Sequence, residues 1–118
     1  MSVTPSYRTF VLDQLARVAT AVRGQAMFGG LGIYSSERFF ALADDDTLYL
    51  KADDLTRPEF EAAGMKPFRP FGEDGETMSY YGLPADLLED AEALTPWVDL
   101  ALEAARRKRR KPRRGKSA

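Results

Sequence analysis

Apolar positions recur at two different spacings along this chain. Tyr7, Phe10, Val11, Leu15, Val18 and Val22 keep mostly to one face at helical spacing, with Arg8, Asp13 and Arg17 away from it. Thr4-Pro5 caps and opens that helix, with proline at its first position, and Gly24 ends it. The spacing then changes to two. Met27-Phe28-Gly29-Gly30-Leu31-Gly32-Ile33-Tyr34 reads as a strand with Phe28, Gly30, Gly32 and Tyr34 on one face and Met27, Gly29, Leu31 and Ile33 on the other. A turn at Ser35-Ser36-Glu37 leads to a second strand, Arg38 to Ala43. Its Phe39, Ala41 and Ala43 oppose Phe40 and Leu42, so both faces are apolar. A sheet covered on both sides, or on one side plus a partner, would account for that. Asp44-Asp45-Asp46 is a turn, and Thr47-Leu48-Tyr49-Leu50-Lys51 a third strand.

In the second half, Thr56-Arg57-Pro58-Glu59 fits a capping box, and the short helix it opens carries Phe60 and Ala63 and ends at Gly64. Pro67-Phe68-Arg69-Pro70-Phe71 is extended, but two prolines restrict it to a sheet edge or an irregular strand. Asp74-Gly75 signals a hairpin, and Thr77-Met78-Ser79-Tyr80-Tyr81 returns as a strand that Gly82-Leu83-Pro84 breaks. A final helix runs from Pro84 or Asp90 through Leu94, Trp97, Val98, Ala101 and Leu102, with Pro96 a point of kinking. The expected fold is a single α+β domain in the order α-β-β-β-α-β-β-α, an antiparallel sheet packed by helices.

Gly30 and Gly32 leave a bare strip between the rings of Phe28 and Tyr34. Two glycines on one strand face mark the close approach of something else. A helix of the same chain lying on the strip is the expected cause, ahead of a slot for a ligand or partner. A dinucleotide-type phosphate loop is excluded, because the strand Phe39-Phe40-Ala41-Leu42 follows where a helix would have to open.

Composition removes several chemistries. The chain has 118 residues, no cysteine and no histidine. Disulfides, thiolate metal sites and every Ser-His or Cys-His arrangement are therefore absent, along with the commonest general base. The N-terminus lacks a secretory pattern and no apolar run spans a bilayer, which leads to the expectation of a cytoplasmic protein with no membrane partner. The net charge of −1 hides an asymmetry. All 18 acidic residues precede residue 106, with eight of the 17 Lys and Arg, so residues 1–105 carry −10. The other nine cations lie in residues 106–118, without an acid, and carry +9. The expected organisation is a domain over residues 1–105 and a basic, flexible tail over residues 106–118.

Taken together, the stretch Met27 to Tyr34, Leu48-Tyr49-Leu50-Lys51, Phe60 to Gly64, Pro67-Phe68 and Met78-Ser79-Tyr80-Tyr81 resemble the N-terminal domain of the TfoX/Sxy family, over most of residues 7–103. The resemblance implies an α+β fold of this element order and no catalytic residues, metal or cofactor. Its full-length members are bacterial regulators of natural competence that act with the cAMP receptor protein at promoters. They carry a second, helical domain, whereas this sequence has the basic run instead, and Arg69-Pro70 stands where an aromatic residue is expected.

Asp44-Asp45-Asp46 and Glu73, Asp74 and Glu76 read as polar turns, since the alternating ligands of a calcium loop are missing. Tyr80, Tyr81 and Lys51 are the best candidates for catalysis, but no spacing sets a base against a nucleophile. The five residues Gly30, Gly32, Tyr34, Tyr80 and Tyr81 form the candidate partner surface, because tyrosine is enriched at interfaces. Arg106, Arg107, Lys108, Arg109, Arg110, Lys111, Arg113, Arg114 and Lys116 form the candidate nucleic-acid contact, acting through phosphates without reading bases. The expected function is a non-enzymatic regulatory or interaction module without cofactors, its partners nucleic acid and a transcription regulator or other protein. The alternatives are a domain whose tail meets an acidic protein, and a small-molecule-binding protein or enzyme using the glycine strip.

Overall fold

The computed structural model describes residues 3–27, 30–68 and 78–116. Its elements are α1 (Pro5–Ala16), β1 (Val22–Met27), β2 (Gly30–Ser35), β3 (Arg38–Asp44), β4 (Thr47–Lys51), α2 (Arg57–Ala62), β5 (Pro67–Phe68), β6 (Met78–Gly82), α3 (Ala85–Leu88) and α4 (Ala91–Lys116). The six strands form one antiparallel sheet in the order β1-β2-β3-β4-β6-β5. The α+β class therefore holds, with one strand and one short helix more than expected. The Asp74-Gly75 hairpin and Arg69-Pro70-Phe71 lie outside the described residues.

The additional strand is β1. Thr4 caps α1 as expected, its hydroxyl accepting the Tyr7 amide at 3.2 Å. The helix stops at Ala16 instead of running to Val22, and Ala21 takes a positive φ of 48°. From Val22 the chain alternates, with Gly24 opposite Ile33 and Ala26 opposite Leu31, while Arg23, Gln25 and Met27 point to the other side. Val18 and Val22 do pack on the core, but from a turn and a strand, where β-branched side chains fit well.

One face of the sheet meets all the helices. Leu31, Ile33, Ala41, Ala43, Leu48, Leu50 and Tyr81 pack there against Val11 and Leu15 of α1, Phe60 of α2, and Leu94, Val98 and Ala101 of α4. The double apolar character of β3 comes from a bulge. Ile33 faces Ala41 but Tyr34 faces Phe39, so Phe40 is an extra residue, fully buried in the core, and Phe39 turns to the outer face. The helix expected on the glycine strip is not there. A Cβ on Gly32 would meet the Met27 thioether, with Cε at 2.6 Å, and the Phe39 ring at 3.0 Å. Side chains from the two neighbouring strands fill the strip at Gly32, and the Ala43 carbonyl oxygen stands against Gly30.

Local signals settle the other joints. Asp45 and Asp46 both have φ of 53°, which makes the acidic turn a two-residue hairpin between β3 and β4. The Asp46 carboxylate accepts the Thr4 amide at 2.9 Å and its hydroxyl at 3.1 Å, tying the turn to the start of α1. Gly64, at φ 85°, ends α2, with the Met65 amide reaching back to the Phe60 carbonyl. Thr56 makes no capping bond to α2. Asp53 does this instead: its Oδ1 accepts the amides of Leu55 and Thr56, both at 3.1 Å, while Thr56 Oγ1 accepts the Asp53 amide at 3.0 Å. The capping box expected over Thr56-Arg57-Pro58-Glu59 is therefore not formed, and the reciprocal pair is Asp53 with Thr56, in the turn that leads into α2.

Candidate functional site

Two features lie at one end of the sheet, where β1 and β3 start and β2 and β4 finish. The first is the root of the basic run. β4 ends at Lys51, and Asp53 follows two residues later with its carboxylate already fixed by the cap of α2. The remaining capacity of that carboxylate goes to Arg107 of α4. Arg107 Nε donates to Oδ2 at 2.7 Å and Nη2 to Oδ1 at 3.0 Å, a two-pronged pair that fixes orientation as well as charge. Chiefly because of that pair, the Asp53 carboxyl is lowered to about 2. Glu103, one turn back on α4, stands 3.8 Å from the same guanidinium. Arg57 pairs with Asp54 alongside. Asp53, Asp54, Leu55, Arg57, Ser79 and Arg107 line an open cleft of about 370 Å³, with Leu55 the most exposed large apolar residue among those described. The arginines of the cleft are thus already ion-paired.

Beyond Arg107 the backbone continues as helix to Lys116. Seven of the nine cations of the candidate nucleic-acid contact therefore sit on that continuation of α4, and the two before them are placed differently. Arg106 is exposed, whereas Arg107 is held by Asp53.

The second feature is a row of rings on the outer face. Arg23 of β1 lies over the Tyr34 ring, 4.4 Å from its centroid. Tyr34 meets Phe39 at 5.1 Å and Phe39 meets Tyr80 at 5.9 Å, both tilted. The Lys51 ammonium closes the row, 4.9 Å from the Tyr80 centroid and donating to its hydroxyl at 3.1 Å. Tyr80 and Lys51 are buried, while Tyr34 and Phe39 are partly open and Arg23 is exposed. Burial, and then the neighbouring Tyr34, push the Tyr80 phenol up to about 12, so it stays protonated at neutral pH and is no base there.

The candidate partner surface is thereby divided. Gly30, Gly32, Tyr34 and Tyr80 share the outer face, but Tyr81 opposes Leu50 on the helix side. There its ring stacks on Phe60 at 5.6 Å and its hydroxyl donates to Glu61 at 2.7 Å. Phe39, Arg23 and Asp53 escaped sequence reasoning. Asp53, three residues before Thr56, carried a readable capping signal, whereas Phe39 depended on a bulge and Arg23 on an unrecognised strand. Among the described residues, no group of three or more acidic side chains is placed to hold a metal ion, and no helix is long and apolar enough to cross a membrane.

No curated protein matches the chain. Residues 13–105 match the family described as the TfoX N-terminal domain, from the last turn of α1 to the part of α4 just short of Arg107. This is not a known enzyme family. The match and the α+β sheet with its helices agree, and the chain belongs to the TfoX N-terminal domain family.

Proposed function

We infer that this protein is a non-enzymatic, cytoplasmic regulatory or interaction module of bacterial transcription, and that its basic run contacts nucleic acid through phosphates. The observation that carries this reading is the continuation of α4 through residues 106–116, where nine cations follow one another without an acid. Such a run neutralises a phosphate backbone and releases its counterions, a drive that does not depend on base sequence. Family membership supports the regulatory half of the reading. Arg107 is engaged with Asp53 and serves as the anchor, leaving the other eight cations for phosphates.

The test is fluorescence anisotropy with two unrelated duplexes, comparing the native chain with one in which Lys108, Arg109, Arg110 and Lys111 are all replaced by Gln. Equal affinity of the native chain for both duplexes and a large drop in affinity for the substituted chain are expected. Unchanged binding by the substituted chain overturns the reading.

A further inference from the structure

We propose that the outer face of the sheet, at Arg23, Tyr34 and Phe39, is a stacking site for the bases of single-stranded nucleic acid. The phosphate half of this interaction rests on the function inferred above; the base half stands on the sheet.

Residues 1–105 carry −10, yet the row across the outer face runs Arg23, Tyr34, Phe39, Tyr80, Lys51, with a cation at each end and no carboxylate in it. Asp44 is the one acid that the strand registers place on this face among the described residues, and it lies at the far end beside Thr47. Aromatic rings and guanidinium planes are the surfaces on which unpaired bases stack, and the contact tolerates any sequence because every base has a π-face.

The bulge at Phe40 turns the Phe39 ring outward beside Tyr34, and the missing side chain of Gly32 makes room for its edge. Buried Tyr80 packs on Phe39 and Lys51 holds Tyr80, while Tyr34 packs on Phe39, so the rings are held before any ligand arrives. Position supplies the charge complementarity. Tyr34 and Phe39 lie at the end of the sheet where Asp53 holds Arg107, so the basic continuation of α4 leaves from the same end. α4 packs on the other face of the sheet, so a strand laid over the rings meets the basic continuation where it runs past this end of the sheet. A duplex offers no open base face to a flat sheet, so the site distinguishes single strands from double.

The experiment compares binding of a labelled oligothymidine and of a duplex of the same length to the native chain and to Tyr34→Ala, Tyr34→Phe and Arg23→Gln. The native chain is expected to prefer the single strand, and Tyr34→Ala to weaken single-strand binding by about fivefold or more. Duplex binding should change little, and Tyr34→Phe, which keeps a ring, should bind like the native chain. Arg23 is exposed, so Arg23→Gln spares the core and reads the site even where Tyr34→Ala unfolds the chain. It is expected to weaken the single strand selectively. Equal native affinity for both nucleic acids overturns the proposal, as does unchanged single-strand binding by folded Tyr34→Ala or by Arg23→Gln. The substitution of residues 108–111 is measured in parallel. If it leaves duplex binding intact, the basic-run reading fails by itself, while dependence of single-strand binding on Tyr34 and Arg23 still supports the sheet site.

Discussion

At the residue scale, Asp53 joins two jobs that a sequence pattern shows only one at a time. Its carboxylate caps α2 through the Leu55 and Thr56 amides and receives both prongs of Arg107. Asp53→Ala removes both, while Arg107→Ala removes only the pair, which is about one-third exposed on each side. By urea unfolding, Asp53→Ala should cost about 1–2 kcal/mol and Arg107→Ala under about 1 kcal/mol. The pH dependence has a definite sign. The folded carboxyl is lowered from 3.8 to about 2, so its contribution is complete above the unfolded value and is lost as pH falls through the folded one. The gap in thermal midpoint between the native chain and Asp53→Asn should therefore be constant near neutrality and close between those two values. Gly30 and Gly32 separate on similar local grounds. A Cβ on Gly30 would stand 2.6 Å from the Ala43 carbonyl oxygen, part of the backbone, whereas the nearest atom to Gly32 is the end of a thioether that can turn away. Gly30→Ala should destabilise by about 1–3 kcal/mol, and Gly32→Ala by less. The reverse order in a denaturation series would show that the strip is packed by something other than Met27.

At the element scale, legibility follows from how local each cause is. The hairpin at Asp45-Asp46 and the left-handed stop at Gly64 are set by two or three residues, and both were readable. The placement of Pro67-Phe68 on a sheet edge followed from proline's missing amide and also holds. β1 was not readable, because Val18 and Val22 extend the apolar spacing of α1, and the pairing of β1 with β2 decides its state over any local preference. The bulge in β3 matters more. A strict two-residue period assigns Phe39 to the face of Ala41, and one inserted residue reverses that assignment. The same shift hid the aromatic row, since a regular strand keeps Phe39 on the face of Ala41 and Ala43. Phe40 carries the consequence for stability. It is fully buried as the extra residue, so Phe40→Ala should cost about 3–5 kcal/mol, more than the same change at partly buried Phe39. Comparable destabilisation at the two positions would mean that Phe39 is packed as deeply as Phe40 and that the outer face is not open there.

At the scale of the whole molecule, the charges are separated along the sheet. Asp44, Asp45 and Asp46 close one end, and α4 carries its cations away from the other, where Asp53 holds Arg107. Strands of five to seven residues place roughly 15–25 Å between those ends. That is about two to three screening lengths at physiological salt. A helix that continues in its own direction does not bring the cations back to the acidic turn, so self-neutralisation by that turn is weak. The nearer acids are Asp53, Asp54 and Glu103, of which Asp53 is already occupied by Arg107. With eight cations besides the anchor and about five or six of them meeting phosphates at once, the slope of log affinity against log salt should be roughly −4.5 to −5.5. Replacing Lys108, Arg109, Arg110 and Lys111 by Gln should flatten that slope by about 0.9 for each phosphate that is no longer neutralised. Replacing Asp44, Asp45 and Asp46 by Asn should leave both slope and affinity nearly unchanged near physiological salt. A marked rise in affinity in that variant would mean that the acidic turn competes with nucleic acid for the basic run, and the separation of charge along the sheet would then not protect it.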